Sequence, residues 1–188
     1  SLLNNVTKVV ALSTDKASSP INLYGATKLC SDKLFTTANN IKGKNPVRFS
    51  VVRYGNVLGS NGSVIPFFLK RKKIDNTLPI TDPNMTRFNI SLQDGVRMVL
   101  FALKNAWGGE ILVPKIPSYN ILSVAKAINP KSKLKFIGIR GGEKLHEEMI
   151  SKSDSINTYE FKNYYVILPS QEYLDWSINK FLQTFSND

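Results

Sequence analysis

Ser13-Thr14-Asp15-Lys16, followed eight residues later by Tyr24-Gly25-Ala26-Thr27-Lys28, gathers a hydroxyl, an acid, a base and a phenol–ammonium pair within sixteen residues. On a helix Tyr24 and Lys28 stand at i and i+4 and share a face. An ammonium close to a phenol favours the phenolate, the form a tyrosine needs in order to accept a proton near neutrality. Tyr-x-x-x-Lys occurs by chance on many helices, so the spacing carries weight only through its surroundings.

Those surroundings read as an α/β unit. Val9-Val10-Ala11-Leu12 is too short for a helix and suits a strand buried on both faces. Ser13 to Lys16 then fall at its carboxyl end, where open α/β sheets place their ligands. Pro20 and Asn22 mark a turn into a helix with Leu23, Ala26, Cys30, Leu34 and Ala38 on one side, the side expected to face the core. Residues 47–54 read as a second strand. Gly55, Gly59 and Gly62, with Asn56, Ser60, Asn61 and Ser63, form a loop open enough for backbone N–H groups to approach a phosphate, although a plain loop has the same composition.

Further on, residues 78–83 are turn-rich and lead to Arg87. Ser91 opens a capping box for a helix with Val96, Val99, Leu100 and Leu103 on one side. Residues 110–114, 133–139 and 164–168 read as strands. Residues 121–128, 143–150 and 173–185 read as helices.

At 188 residues with 42% hydrophobic content the chain has the material for a folded core. One cysteine and one histidine make neither an internal disulfide nor a Cys/His metal site. Cys30 is expected in the core, and His146 is expected as a helix-surface or partly buried polar residue. No apolar run is long enough for a membrane span and no signal-peptide core is seen, so a cytoplasmic location is expected. The formal charge of +11 taken alone points to nucleic acid or an anionic membrane. Its basic residues are mostly dispersed, and no nucleic-acid-binding motif accompanies them, so no nucleic-acid partner is expected. The dense run Lys70-Arg71-Lys72-Lys73 reads as a solvated helix end, and positive charge in a cleft also suits a nucleotide diphosphate.

Ser13-Thr14-Asp15-Lys16-Ala17, Pro20 to Leu29, Arg53-Tyr54-Gly55-Asn56-Val57, Met85-Thr86-Arg87-Phe88 and Gly142-Glu143-Lys144-Leu145-His146-Glu147 together resemble the extended short-chain dehydrogenase/reductases. More narrowly they resemble the inverting UDP-N-acetylglucosamine 4,6-dehydratases of bacterial surface-sugar biosynthesis. The resemblance runs from about Lys8 to about Ile150. It implies the carboxyl-terminal part of a doubly wound Rossmann-type parallel sheet with an interleaved small substrate-binding α/β region.

On this reading residues 1–58 are a partial dinucleotide-binding domain and 59–90 a substrate-binding segment. Residues 91–114 return to the sheet, and 115–188 form a substrate-binding subdomain and tail. No Gly-rich turn follows an early strand, so the chain is expected to be a fragment, inactive alone and homo-oligomeric when full length.

The resemblance assigns catalysis to Thr14, Asp15, Lys16, Tyr24 and Lys28. It places NADP, with NAD as the alternative, against Tyr24, Lys28, Tyr54 and Asn56. A UDP-sugar, UDP-N-acetylglucosamine or a relative, would be bound by Asn56, Ser63, Val64, Arg87, Arg140 and Glu143. Two other readings stay open: a UDP-sugar epimerase or reductase, which needs no adjacent Asp15 and Lys16, and a non-catalytic binding module.

Overall fold

The computed structural model describes residues 3–170 and 176–185. Strand β1 (Lys8–Thr14) runs parallel to β2 (Arg48–Tyr54), with Lys8 opposite Arg48 and Thr14 opposite Tyr54. A parallel pair needs a crossover, and helix α1 (Leu23–Ile41) supplies it. Two-residue strand β3 (Asn56–Val57) leaves the end of β2, and helix α2 (Val64–Ile74), strand β4 (Thr77–Ile80) and strand β5 (Thr86–Ile90) follow. Helix α3 (Leu92–Asn105) then returns the chain to β6 (Ile111–Pro114), parallel to β2.

After β7 (Ser118–Asn120), α4 (Ile121–Ile128), β8 (Lys133–Phe136) and the short α5 (Lys152–Ser155), strands β9 (Thr158–Glu160) and β10 (Tyr164–Ile167) close the main sheet. Helix α6 (Ile178–Thr184) is the last described element. The main sheet has the order β1-β2-β6-β10-β9, with β10 antiparallel to both neighbours.

Helices cover both faces of this sheet. On one, Val52 packs with Met98 and Ala102 of α3; on the other, Ala11 and Val51 pack with Phe35 of α1. A smaller lobe is built from α2, α4 and the parallel pair β4–β8 around Phe68, Leu78, Ile80, Ile121 and Ala125. The sheet β3-β5-β7 joins lobe to main sheet. The α/β architecture and the interleaved small region are as the sequence implied.

Several expectations are corrected. Cys30 is exposed, as are Leu23 and Leu34, because α1 meets the sheet through a different side carrying Gly25, Asp32 and Phe35. Two contacts without a hydropathy signature fix that orientation. Asp32 is paired with buried Arg53 of β2, and a Cβ added at Gly25 would stand 2.4 Å from the Lys16 carbonyl. The same holds for α3, whose buried side carries Gly95, Met98 and Ala102 while Val96, Leu100 and Leu103 are exposed.

β1 is not buried on both faces, since Leu12 is exposed on a strand whose one described sheet neighbour is β2. Residues 143–150 form an irregular segment with bends instead of a helix, because their side chains bond across to other segments (below). The last helix starts at Ile178, and part of the predicted span 173–185 lies outside the described residues.

Candidate functional site

β1 ends in a single 3-10 turn, Asp15–Ala17, capped by Thr14, whose Oγ1 accepts from the Lys16 N–H at 3.4 Å. The turn folds the three predicted catalytic side chains together. Thr14 Oγ1 donates to Asp15 Oδ1 at 2.8 Å, and Lys16 Nζ donates to the same oxygen at 2.8 Å. Asp15 is fully buried, and its other oxygen, Oδ2, has no partner among the described residues.

Lys16 Nζ also reaches Asn56 Oδ1 at 3.4 Å, forty residues away in sequence. Asn56 Nδ2 in turn donates to the Phe88 carbonyl at 3.2 Å, which orients the amide. Gly55 beside it admits no side chain, since an added Cβ would lie 2.6 Å from Phe88 Cβ.

A cleft of about 400 Å³ opens from Asn56 into the small lobe. Asn56, Ser63, Val64, Arg87, Arg140 and Glu143, all six residues predicted to face a UDP-sugar, line it. Val64 and Phe67 stand at the start of α2, whose first turn therefore forms one wall. Arg87 Nη1 donates to the carbonyls of Thr86 at 2.7 Å and Leu145 at 3.3 Å, so its guanidinium is held by backbone. Arg140 is paired with Glu143 at the rim, and that hydrogen bond holds the Glu143 carboxyl below the usual range, against a smaller opposing effect of burial.

Tyr119, which the sequence reading did not single out, lines the same cleft. Burial pushes its phenol up; the Arg87 charge opposes this and the Asp15 charge adds to it, so the phenol lies within the fields of both the cleft and the catalytic turn.

Tyr24 stands on the first turn of α1, 54% exposed, with half-buried Lys28 one turn on. Neither side chain takes a hydrogen-bond partner among the described residues. Tyr54 stands opposite Thr14 across the β1–β2 pair. It is half-buried on the β2 face that carries Val52, packed in the core beneath α3, and burial pushes its phenol up.

Glu147 is the principal residue whose role sequence reasoning missed. Its side chain is almost buried, with Oε1 3.9 Å from Lys16 Nζ and Oε2 3.9 Å from Lys144 Nζ. The segment around it is stitched to the 3-10 turn and the residues that follow it. Lys144 Nζ donates to the Ser18 carbonyl at 2.6 Å, Ser19 Oγ to Glu148 at 2.9 Å, and Asn22 Nδ2 to the Gly142 carbonyl at 2.7 Å. One irregular segment thus carries cleft residues, Arg140 and Glu143, and contacts to the turn at the end of β1. The sequence signalled this segment through the motif Gly142 to Glu147, but gave Glu147 no role of its own.

His146 donates to or accepts from Thr86 Oγ1 at 2.8 Å and is exposed. Among the described residues no group of His, Cys, Asp and Glu side chains is arranged to hold a metal ion. A second cavity, of about 770 Å³, lies between the start of α3 and the exit of β6, lined by Asp94, Arg97, Met98 and Lys115. It is larger than the cleft but contains none of the side chains gathered at the end of β1.

A mixed sheet with helices on both faces, reactive side chains at the carboxyl end of a parallel strand and Tyr-x-x-x-Lys on the following helix define a Rossmann-type short-chain dehydrogenase/reductase architecture. Residues 1–169 match the family described as polysaccharide biosynthesis protein, and the chain belongs to that family.

Over 173 residues it is 60% identical to the UDP-N-acetylglucosamine 4,6-dehydratase (inverting) of Campylobacter jejuni subsp. jejuni serotype O:23/36, covering 92% of this chain and 52% of that protein. It is 43% identical over 169 residues to the UDP-glucose 4-epimerase of Rickettsia bellii, covering 88% of this chain and 50% of the relative. The chain thus spans about half the length of the curated relatives it matches.

Among solved structures it is similar to Pen from Bacillus thuringiensis, with a TM-score of 0.85 and 34% identity over 90% of this chain and 55% of the other. DesIV, a dTDP-glucose 4,6-dehydratase from Streptomyces venezuelae solved with NAD and TYD bound, has a TM-score of 0.69 at 18% identity over 99% of this chain and 61% of the other, a likeness of fold alone.

Proposed function

We propose that this chain is the carboxyl-terminal, substrate-facing part of an NADP-dependent UDP-N-acetylglucosamine 4,6-dehydratase that inverts C5. The single observation that carries the reading is the 2.8 Å contact between Lys16 Nζ and Asp15 Oδ1 beside the mouth of the cleft. An elimination across C5 and C6 needs a base for the C5 proton and an acid for the departing C6 hydroxyl. One proton moving from Lys16 to Asp15 converts the ion pair into that base and that acid. The identity to an inverting dehydratase supports the same choice over the epimerase reading, which has no use for the pair.

The proposed roles are these. Tyr24 takes the C4 hydroxyl proton, Lys28 on the next turn favours the phenolate, and Thr14 hydrogen-bonds the sugar. A nicotinamide cofactor supplies hydride acceptance from C4 and hydride return at C6. The 4-ketone so formed acidifies the C5 proton. Lys16, as the neutral amine, accepts that proton, and the C5–C6 double bond forms as the C6–O bond breaks. Asp15 gives its proton to the leaving hydroxyl, which departs as water. A proton from solvent then reaches C5 on the other face and the proton held by Tyr24 passes to solvent, so that with hydride returned at C6 the product is a UDP-4-keto-6-deoxy sugar of inverted C5 configuration.

The residues present fit the cofactor's ribose, because the Tyr24 hydroxyl and Lys28 ammonium are accessible and uncommitted. In the cleft, Arg87 and Arg140 would bind the diphosphate, Glu143 the ribose hydroxyls and Asn56 the diphosphate-sugar portion, with Val64 and Phe67 bordering the uracil and Ser63 also facing the substrate. The isolated chain is proposed to be inactive, and the complete enzyme to be a cytoplasmic homo-oligomer.

Running the reaction in deuterated water and assigning C5 of the product by NMR tests the proposal. Inversion with solvent deuterium at C5 is expected, and Lys16→Ala should slow C5 exchange more than initial oxidation at C4. A product that keeps the original C5 configuration would remove the inverting assignment.

A further inference from the structure

Charge is unevenly distributed over the fold. Residues 64–80 and 121–137 hold eight basic side chains against the single acid Asp75, leaving seven of the chain's formal +11 in thirty-four residues. These two segments are α2 with β4 and α4 with β8, which together form the small lobe.

Their basic ends meet. Lys72 Nζ donates to the Ile128 carbonyl at 3.1 Å, and Asn76 Oδ1 accepts from Asn129 Nδ2 at 2.6 Å and from Ser132 Oγ at 2.9 Å. Around this junction Lys70, Lys72, Lys73, Lys126, Lys131, Lys133 and Lys135 are all exposed. Arg71 is neutralised by Asp75 at 2.6 Å; the lysines have no acid partner within salt-bridge distance among the described residues. The stretch also exposes apolar side chains, Leu69 at 46%, Ile74 at 63% and Phe136 at 57%.

Helix C-termini attract cations, which accounts for some of the run on α2. It does not account for Lys131, Lys133 and Lys135, which lie in a loop and a strand. Lysines whose flexible stems carry charge outward between exposed aliphatic and phenyl groups match the boundary of an anionic bilayer, where apolar groups enter the headgroup layer and ammoniums stay at its surface. Nucleic acid fits less well, because the surface's one arginine, Arg71, is tied to Asp75 and no stacked aromatic platform for bases stands among its described residues. The cleft lies at the other end of α2, lined by Val64, Phe67 and Phe68, so docking by this face leaves the cleft open.

We infer that the lysine-rich end of the small lobe is a peripheral docking surface for a membrane carrying anionic lipid. Sedimentation of the chain with phosphatidylcholine vesicles, with and without phosphatidylserine, tests it against two charge-matched variants. One variant neutralises the surface (Lys70→Gln, Lys73→Gln, Lys131→Gln, Lys133→Gln). The other removes the same charge elsewhere (Lys44→Gln, Lys104→Gln, Lys162→Gln, Lys180→Gln).

Binding to the phosphatidylserine vesicles is expected, falling by about 100-fold or more in the surface variant and by less than about fivefold in the control. Equal losses in the two variants would show a net-charge effect and overturn the inference. So would absence of vesicle binding at low salt, or tighter binding to a short RNA duplex than to the vesicles at the same ionic strength. The assay reads partitioning alone, so its outcome is independent of the proposed catalysis.

Discussion

Replacing Arg53 with alanine tests how α1 is held against the sheet. The guanidinium is fully buried and donates through Nε and Nη2 to Asp32 Oδ2 at 3.3 and 3.0 Å, through Nη1 to Asp154 at 3.0 Å, and to the Met149 carbonyl at 3.1 Å. Asp154 is partly solvated and can recover water. Asp32 cannot, because it is 1% exposed and its Oδ1 already has no partner. Removing the arginine strands a buried carboxylate, so a loss of about 3–5 kcal/mol is expected. A surface pair would cost only about 0–1 kcal/mol.

For a chain of this size the loss corresponds to a fall in Tm of roughly 6–20 °C. Urea titration followed by circular dichroism measures it directly. The double variant Arg53→Met with Asp32→Leu, which removes both charges and fills the space, should recover most of the lost stability. It also gives a readout if Arg53→Ala does not fold. A single variant within about 1 kcal/mol of the parent, or a double variant no more stable than the single, would refute the view that this pair anchors α1.

Gly25→Ala should destabilise by about 2 kcal/mol or more, because the new Cβ meets the Lys16 carbonyl at 2.4 Å and Pro20 Cβ at 3.0 Å; equal urea midpoints would refute the close approach. Burial pushes the Glu110 carboxyl up, against hydrogen bonds from Trp107 and Ser50 that favour its charged form. The folded state therefore binds the proton more tightly, and this contribution is present at acid pH and lost as pH rises above the unfolded carboxylate range. Glu110→Gln should accordingly flatten the fall in stability between weakly acidic and neutral pH, measured by urea midpoints across that interval. In the completed enzyme, Glu147→Gln should slow C5 exchange by about 10- to 100-fold while leaving initial C4 oxidation within about twofold, since it releases Lys16 and not Tyr24. Equal slowing of both steps would show a general loss of structure instead.

The sequence by itself determined whatever depends on near neighbours. The apolar run before Ser13 makes a strand, Ser91 caps α3 through its 3.0 Å bond from the Asp94 N–H, and the spacing of Tyr24 and Lys28 sets them on one helical face. Thr14, Asp15 and Lys16 adjoin one another, so one turn of backbone suffices to bring them together. The residues of the cleft were legible through several separated motifs, but their convergence was not, because Asn56, Arg87 and Glu143 approach only when β3, β5 and the 140–149 segment are assembled.

Only the tertiary structure decided which side of each helix is buried. Hydropathy favoured the stripe through Cys30 and Leu34. The sheet instead receives Gly25, whose lack of a Cβ permits close approach, and Asp32, whose charge is compensated by Arg53 twenty-one residues away. Residues 143–150 have helical spacing yet stay irregular, because Lys144, Glu147 and Glu148 make their bonds to the catalytic turn over a hundred residues earlier. Local pattern reports what a segment can form alone; long-range ion pairs and backbone approaches select among those forms, and they leave no period in the sequence.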